Sequence, residues 1–257
     1  MTSEETEQLL DLCCEMGRQL IRNGAEIYQV EESARRILEA YGHKEAEVFA
    51  IPSCVILNIR SSERNYTKSV RVRSSSNDLD KLDRLNDLCR RICRETPPPW
   101  EGMARLREVA GAPSYPAWVS FLAHGCAAAF FTLFWGGGVA DAAVAFFCGL
   151  VVKATVGSMR RMNANIFFTD ICASAFLSVL PTALFCLGAP VQPDRIIIGA
   201  IMLLVPGIAI TNVMRDVIAG DFLTALTKFA EVAIVAMAIA IGIALPVGAV
   251  RALLGGV

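Results

Sequence analysis

Residues 196–214 read IIIGAIMLLVPGIAITNVM, with Leu204-Val-Pro-Gly207 at the centre. The run carries no charge before Arg215, and about 20 apolar residues suffice to cross a bilayer as a helix. Proline removes a backbone donor and glycine withdraws packing, so the sequence predicts a membrane span broken or kinked at Pro206-Gly207. Non-helical backbone at membrane depth persists only where protein buries it or a wet cavity lines it. Transporters use such breaks to present backbone groups and helix ends to small polar solutes. The stretch points to passage of a solute.

Four more apolar segments surround it: Ala117–Phe134, Val139–Met159, Ile166–Leu187 and Phe222–Val247, with Ile196–Ile218 the fourth of five. Each covers roughly 30 Å of hydrocarbon at about 1.5 Å per residue. The charged residues divide the chain in the same way. Of 24 Lys and Arg and 25 Asp and Glu, 36 precede Ala117. The expected fold is therefore membrane α-helical: five transmembrane helices in residues 113–257, preceded by a small cytosolic α+β domain in residues 1–112. Arg105, Arg107, Arg160, Arg161 and Arg215 fall on one side of these spans, Arg195 and Arg251 on the other. Basic residues gather on the cytosolic side, which predicts a cytoplasmic N-terminus and a C-terminus outside. Five spans rarely enclose a pathway alone, so a second membrane subunit or self-association is expected.

In the N-terminal part, Leu9, Cys13, Met16, Leu20 and Ile21 recur at helical spacing until Asn23-Gly24 stops them. A second helix is expected from about Ala25 to Tyr41. Three β-rich runs, Ala46–Ile51, Cys54–Arg60 and Thr67–Arg73, predict an antiparallel meander. Asn77-Asp78 caps a helix ended by Thr96-Pro-Pro-Pro99, and a short helix follows over Trp100–Val109. The pairs Glu31-Glu32 and Arg35-Arg36 sit at i, i+4, as surface ion pairs do; Glu26, Tyr28 and Glu31 are the competing docking or catalytic cluster. Arg71 and Arg73 on one strand face are a solvated face or an anion site.

Net charge is −1, which gives no electrostatic basis for nucleic-acid binding. Cys89 and Cys93 share a helix face but lack a CxxC or histidine companion, so neither metal nor cofactor is expected. No GxxxxGK[ST] phosphate loop occurs, and secondary coupling to the proton gradient is the default.

Ionisable residues inside spans are functional candidates. Glu231 lies ten residues into the fifth span, roughly 15 Å deep. Lys153 either lines the pathway or snorkels to the interface. Asp170 falls in the first turns of its span, where a helix N-terminus accommodates it. Asn212, Arg215 and Asp216 share a face at i, i+3, i+4, as a gate or a local network. His124 is expected to pack, and Gly125 and Gly149 to make close helix contacts. The candidate pathway is Pro206, Gly207, Asn212, Arg215, Asp216, Glu231 and Lys153.

Asn23-Gly-Ala-Glu-Ile-Tyr-Gln-Val-Glu31 resembles the N-terminal signature of the threonine/serine exporter family. Leu204-Val-Pro-Gly207 with Asn212, Asp216 and Gly220 resembles that family's membrane signature, and Tyr115-Pro116 and Gly136-Gly137 agree. Long members carry about twice as many spans, so this chain is more similar to the split form, a YjjP-like subunit working with a smaller YjjB-like membrane subunit. The resemblance implies export of small carboxylates, succinate or threonine and serine, across a bacterial inner (plasma) membrane. A membrane-anchored hydrolase or a sensor or scaffold built on the cytosolic domain are the rival classes; the first lacks a nucleophile–base–orienter set.

Overall fold

The computed structural model describes residues 2–60, 65–73, 77–113 and 115–254. They form two compact units, Met1–Ser114 and Tyr115–Val257.

In the first unit, α1 (Ser3–Arg22) begins at a capping box. The Thr2 hydroxyl accepts from Glu5 N at 3.2 Å, and the Glu5 carboxylate accepts from Thr2 N at 2.7 Å, which satisfies donors a helix start otherwise leaves open. Leu9, Leu12, Cys13, Met16 and Leu20 bury one face. Gly24, at φ 95°, turns the chain into α2 (Ile27–Ala40), whose Val30, Ala34, Ile37 and Leu38 face the same core. Strands β1 (Glu47–Ile51), β2 (Cys54–Arg60) and β3 (Asn65–Arg71) form the expected antiparallel meander in that order. Val55, Leu57 and Ile59 point inward from β2 at the period of two that a half-buried strand requires.

The third strand starts two residues earlier than expected, because Asn65 and Tyr66 pair with Arg60 and Ile59 instead of turning. The sequence also expects a polar turn over Ser61–Tyr66, of which residues 61–64 lie outside the described residues. Helix α3 (Leu79–Glu95) is capped by Asp78, which accepts from Lys81 N at 3.1 Å. It ends at Thr96 in the left-handed conformation, and α4 (Pro99–Gly111) follows. A Cβ on Gly102 would stand 2.8 Å from Leu12 Cδ2, so α4 closes tightly on α1.

The second unit holds α5 (Ala117–Phe134), α6 (Val139–Arg161), α7 (Ile166–Cys186), α8 (Pro193–Ile201), α9 (Gly207–Ala219) and α10 (Phe222–Leu254). Among the described residues, four of these are long and apolar enough to cross a membrane: α5, α6, α7 and α10. The fifth expected transmembrane helix is not present as one continuous helix. The segment read as the fourth span is two short helices, α8 and α9, because Pro206 interrupts the hydrogen-bond ladder completely rather than bending it.

Helices α5 and α6 pack as an antiparallel pair. A Cβ on Gly149 would run into the His124 carbonyl, and one on Gly125 into the Phe146 ring, 2.7 Å away. These are the close contacts expected of both glycines. The His124 Nδ1 stands 2.7 Å from the Ser120 carbonyl, as expected of a packing histidine. Cys148 donates to the Leu177 carbonyl at 3.5 Å and joins α6 to α7. Gly199 of α8 presses on Thr132 of α5, and Gly242 of α10 presses on Ser174 and Ile171 of α7.

Candidate functional site

The site grows from the interruption between α8 and α9. After Ile201 the backbone tightens: Leu204 N donates to the Ile201 carbonyl at 2.7 Å and Gly207 N to the Val205 carbonyl at 2.9 Å. Pro206 carries no N–H and serves as N-cap, with Gly207 the first residue of α9. Residues 202–206 are half-buried. The break therefore exposes non-helical backbone within an apolar stretch, where it needs a polar companion.

Helix α9 ends at Gly220, whose φ of 82° makes the left-handed exit a glycine tolerates best. Asp221 then caps α10 by accepting from Thr224 N at 3.1 Å. This tight corner folds α10 back along α9. Asp216, buried on α9, accepts from Lys228 Nζ on α10 at 2.7 Å. Both side chains are largely enclosed, and a pair held that way is costly to break from one side.

Of the predicted pathway residues, Pro206, Gly207, Asn212, Arg215 and Asp216 thus lie on α9 and its entry, with Asn212 half-buried and Arg215 exposed. Glu231 stands on α10 three residues beyond Lys228 and is exposed. Counting back along the corner from the Asp216–Lys228 pair puts it level with Val213 on the adjoining helix, about 9 Å along the axis from the level of Gly207. Lys153 is not part of this group. It is half-buried on α6, which packs on α5, α7 and α8.

Two polar residues escaped the sequence reading, and the structure gives the surroundings of a third. Lys228 needed the corner at Gly220-Asp221 to be read as a helical hairpin, which would have placed it opposite Asp216. Asp141 is buried at the start of α6, where its carboxylate accepts from Gly138 N and from Gln192 N, both at 2.8 Å. It ties the glycine turn after α5 to the entry of α8; its place three residues after Gly138 was the available signal. Asp170 was read as accommodated by a helix N-terminus. Asn165 is the N-cap, accepting from Phe167 N at 3.2 Å, and Asp170 is the fifth residue of α7. Asp170 sits one turn further in, buried, and its backbone carbonyl accepts from the Ser174 hydroxyl. Below it, Ser174, Ser178 and Thr182 bury their hydroxyls against carbonyls of their own helix.

In the first unit the competing cluster resolves differently. Glu32 binds Arg35 and Arg36 on the surface, and these guanidinium groups hold its carboxyl below the usual range. Glu31 turns inward and accepts from Ala50 N at 2.8 Å, joining α2 to β1. All nine cysteines are free. Burial pushes the Cys14 thiol up to about 12, whereas the Cys89 thiol donates to Cys93 and draws it below the ordinary value. Among the described residues no group of three or more His, Cys, Asp or Glu is placed to hold a metal.

Four membrane-length helices, a half-length helix stopped by a Val-Pro-Gly break and a buried ion pair behind it are the build of a membrane transporter. The chain belongs to the family described as "Putative threonine/serine exporter", whose model matches residues 11–248. It is 23% identical to the "Threonine/serine exporter" of Corynebacterium glutamicum over 92% of this chain and 50% of that protein. It is 20% identical to the "Probable threonine/serine exporter" of Mycobacterium tuberculosis over 93% of this chain and 45% of that protein. The chain spans about half the length of these two relatives. Against the "Probable succinate transporter subunit YjjP" of Escherichia coli it is 22% identical, covering 95% of each. These three named relatives are transporters, not enzymes. No solved structure matches the chain.

Proposed function

We propose that this protein is one subunit of a secondary exporter for small carboxylates, with succinate, threonine and serine the candidate substrates. The observation that carries this reading is the α8–α9 break, followed along α9 by Asn212, Arg215 and the Asp216–Lys228 pair, with Glu231 on the adjoining α10. Backbone N–H groups at a broken helix and a guanidinium both suit a carboxylate. The names of the relatives support the same solute class, and the relative covered end to end is called a subunit.

The partner in this reading is a YjjB-like small membrane protein or a further copy of the chain. An exposed carboxylate on a membrane helix supports it, since lipid is a poor neighbour for Glu231. The N-terminal unit faces the cytosol of a bacterium and the spans lie in its inner membrane, in keeping with Arg160 and Arg161 at the end of α6. Protons drive export in this reading, with Glu231 the carrier the sequence nominates and Asp170 the buried alternative.

Glu231→Gln keeps the shape and removes the charge. It is expected to abolish export driven by a pH gradient while leaving expression unchanged. Normal export across the pH range would assign Glu231 a structural role and move the coupling group elsewhere.

A further inference from the structure

We propose that α8 and α9 form a re-entrant hairpin that enters and leaves the membrane on one face, so that α10 crosses in the direction opposite to α7. The sequence expectation of a C-terminus outside counted these helices as one crossing. The contacts of α8 and α10 point the other way.

Helix α8 has a fixed direction. Gln192 N binds Asp141 at the start of α6, Arg195 Nη1 lies 3.1 Å from where a Cβ on Gly136 would stand, and Gly199 rests on Thr132. Moving forward along α8 thus means moving backward along α5. Its nine residues descend about 13 Å from the face where α5 ends.

The direction of α10 follows from one contact and one length. Gly242 rests on Ile171 and Ser174, near the start of α7 at Ile166. It is also 20 residues beyond Phe222, where α10 begins, a rise of about 30 Å. If α10 started on the face where α7 starts, its first part would protrude about 20 Å past α7. Phe222, Leu223, Leu226 and Phe229, all exposed, would then stand in water. Run the other way, α10 overhangs α7 by about 9 Å at each end, as a 33-residue helix on a 21-residue one should.

The corner at Gly220-Asp221 then lies on the face from which α8 entered. The Asp216–Lys228 pair gives an independent measure of depth. Stepping back from it sets Gly207 level with residue 237 of α10, opposite the middle of α7. The tip of the hairpin, residues 202–207, therefore reaches mid-membrane. The arginine asymmetry is unaffected, because Arg215 and Arg251 simply exchange sides. Four crossings replace five, and the end of α10 shares a face with the start of α5.

Single cysteines at Met162, Leu187, Ile218 and Leu253, all strongly exposed, test this in the full chain. Each is probed with a membrane-impermeant maleimide from either side, against the parent protein as background. Ile218→Cys is expected to label from the same side as Leu187→Cys, and Leu253→Cys from the same side as Met162→Cys. Any other pattern overturns the hairpin. A second measurement does not depend on sidedness. A short bifunctional thiol reagent should join Leu187→Cys to Leu223→Cys, which a through-crossing would hold about 30 Å apart; absence of that crosslink, with both sites reactive, contradicts the proposal.

Discussion

Asp216 and Lys228 are the residues on which the α9–α10 corner depends. Replacing one leaves the other charge enclosed without a partner, a loss of about 3 kcal/mol or more. Asp216→Asn is therefore expected to lower the thermal stability of the detergent-solubilised protein more than the double change Asp216→Asn with Lys228→Met. Equal losses would mean that the pair contributes no more than its separate side chains. The thiols of the first unit give a second expectation. Cys14 is held neutral by burial up to about pH 12, while Cys93 ionises below its ordinary value. The thiolate is the reactive form, so maleimide at pH 7 to 8 should modify Cys93 well before Cys14; mass mapping of the labelled peptides decides it. At this scale the sequence was readable where a residue's partner is local. His124 and the Glu32–Arg36 pair were of that kind. Glu31 bonding to Ala50, Asp141 to Gln192 and Asp216 to Lys228 were not, since each partner arrives through a tertiary turn.

Among elements, α8 carries the sharpest steric demand. A Cβ on Gly199 would meet the Thr132 hydroxyl and stand 2.6 Å from its backbone nitrogen, so a larger side chain must push α8 off α5. Gly199→Leu is expected to destabilise the membrane unit by at least the 1–3 kcal/mol typical of overpacking, read as lost folded yield in detergent. Pro206→Ala restores a backbone donor at the break. It is expected to extend α9 backward and slow transport of every substrate alike, measured as initial efflux rates; unchanged rates would make the break a packing feature. Helix and strand positions were legible because hydrophobic period, caps and turn residues agree, as at Asp78, Gly24 and β2. In the fourth apolar segment the break at Pro206-Gly207 was legible, but the path of the chain on either side of it was not. Apolar length reports that a segment is buried in hydrocarbon or protein, but not whether it crosses or turns back at its proline.

For the whole molecule, the chain matches about half of two proteins named as threonine/serine exporters and nearly all of a protein named as a subunit. The purified chain alone is therefore expected to export little from liposomes, and co-reconstitution with a YjjB-like membrane protein to restore export. Full activity of the lone monomer would remove the need for a partner. The claim on which everything else rests is that this protein carries small carboxylates outward. Cells with and without the chain, loaded with labelled succinate, threonine or serine, test it through the initial rate of efflux. The account predicts that loss of the chain slows efflux of at least one of the three and that restoring it recovers the rate. Identical efflux of all three with and without the chain would contradict it.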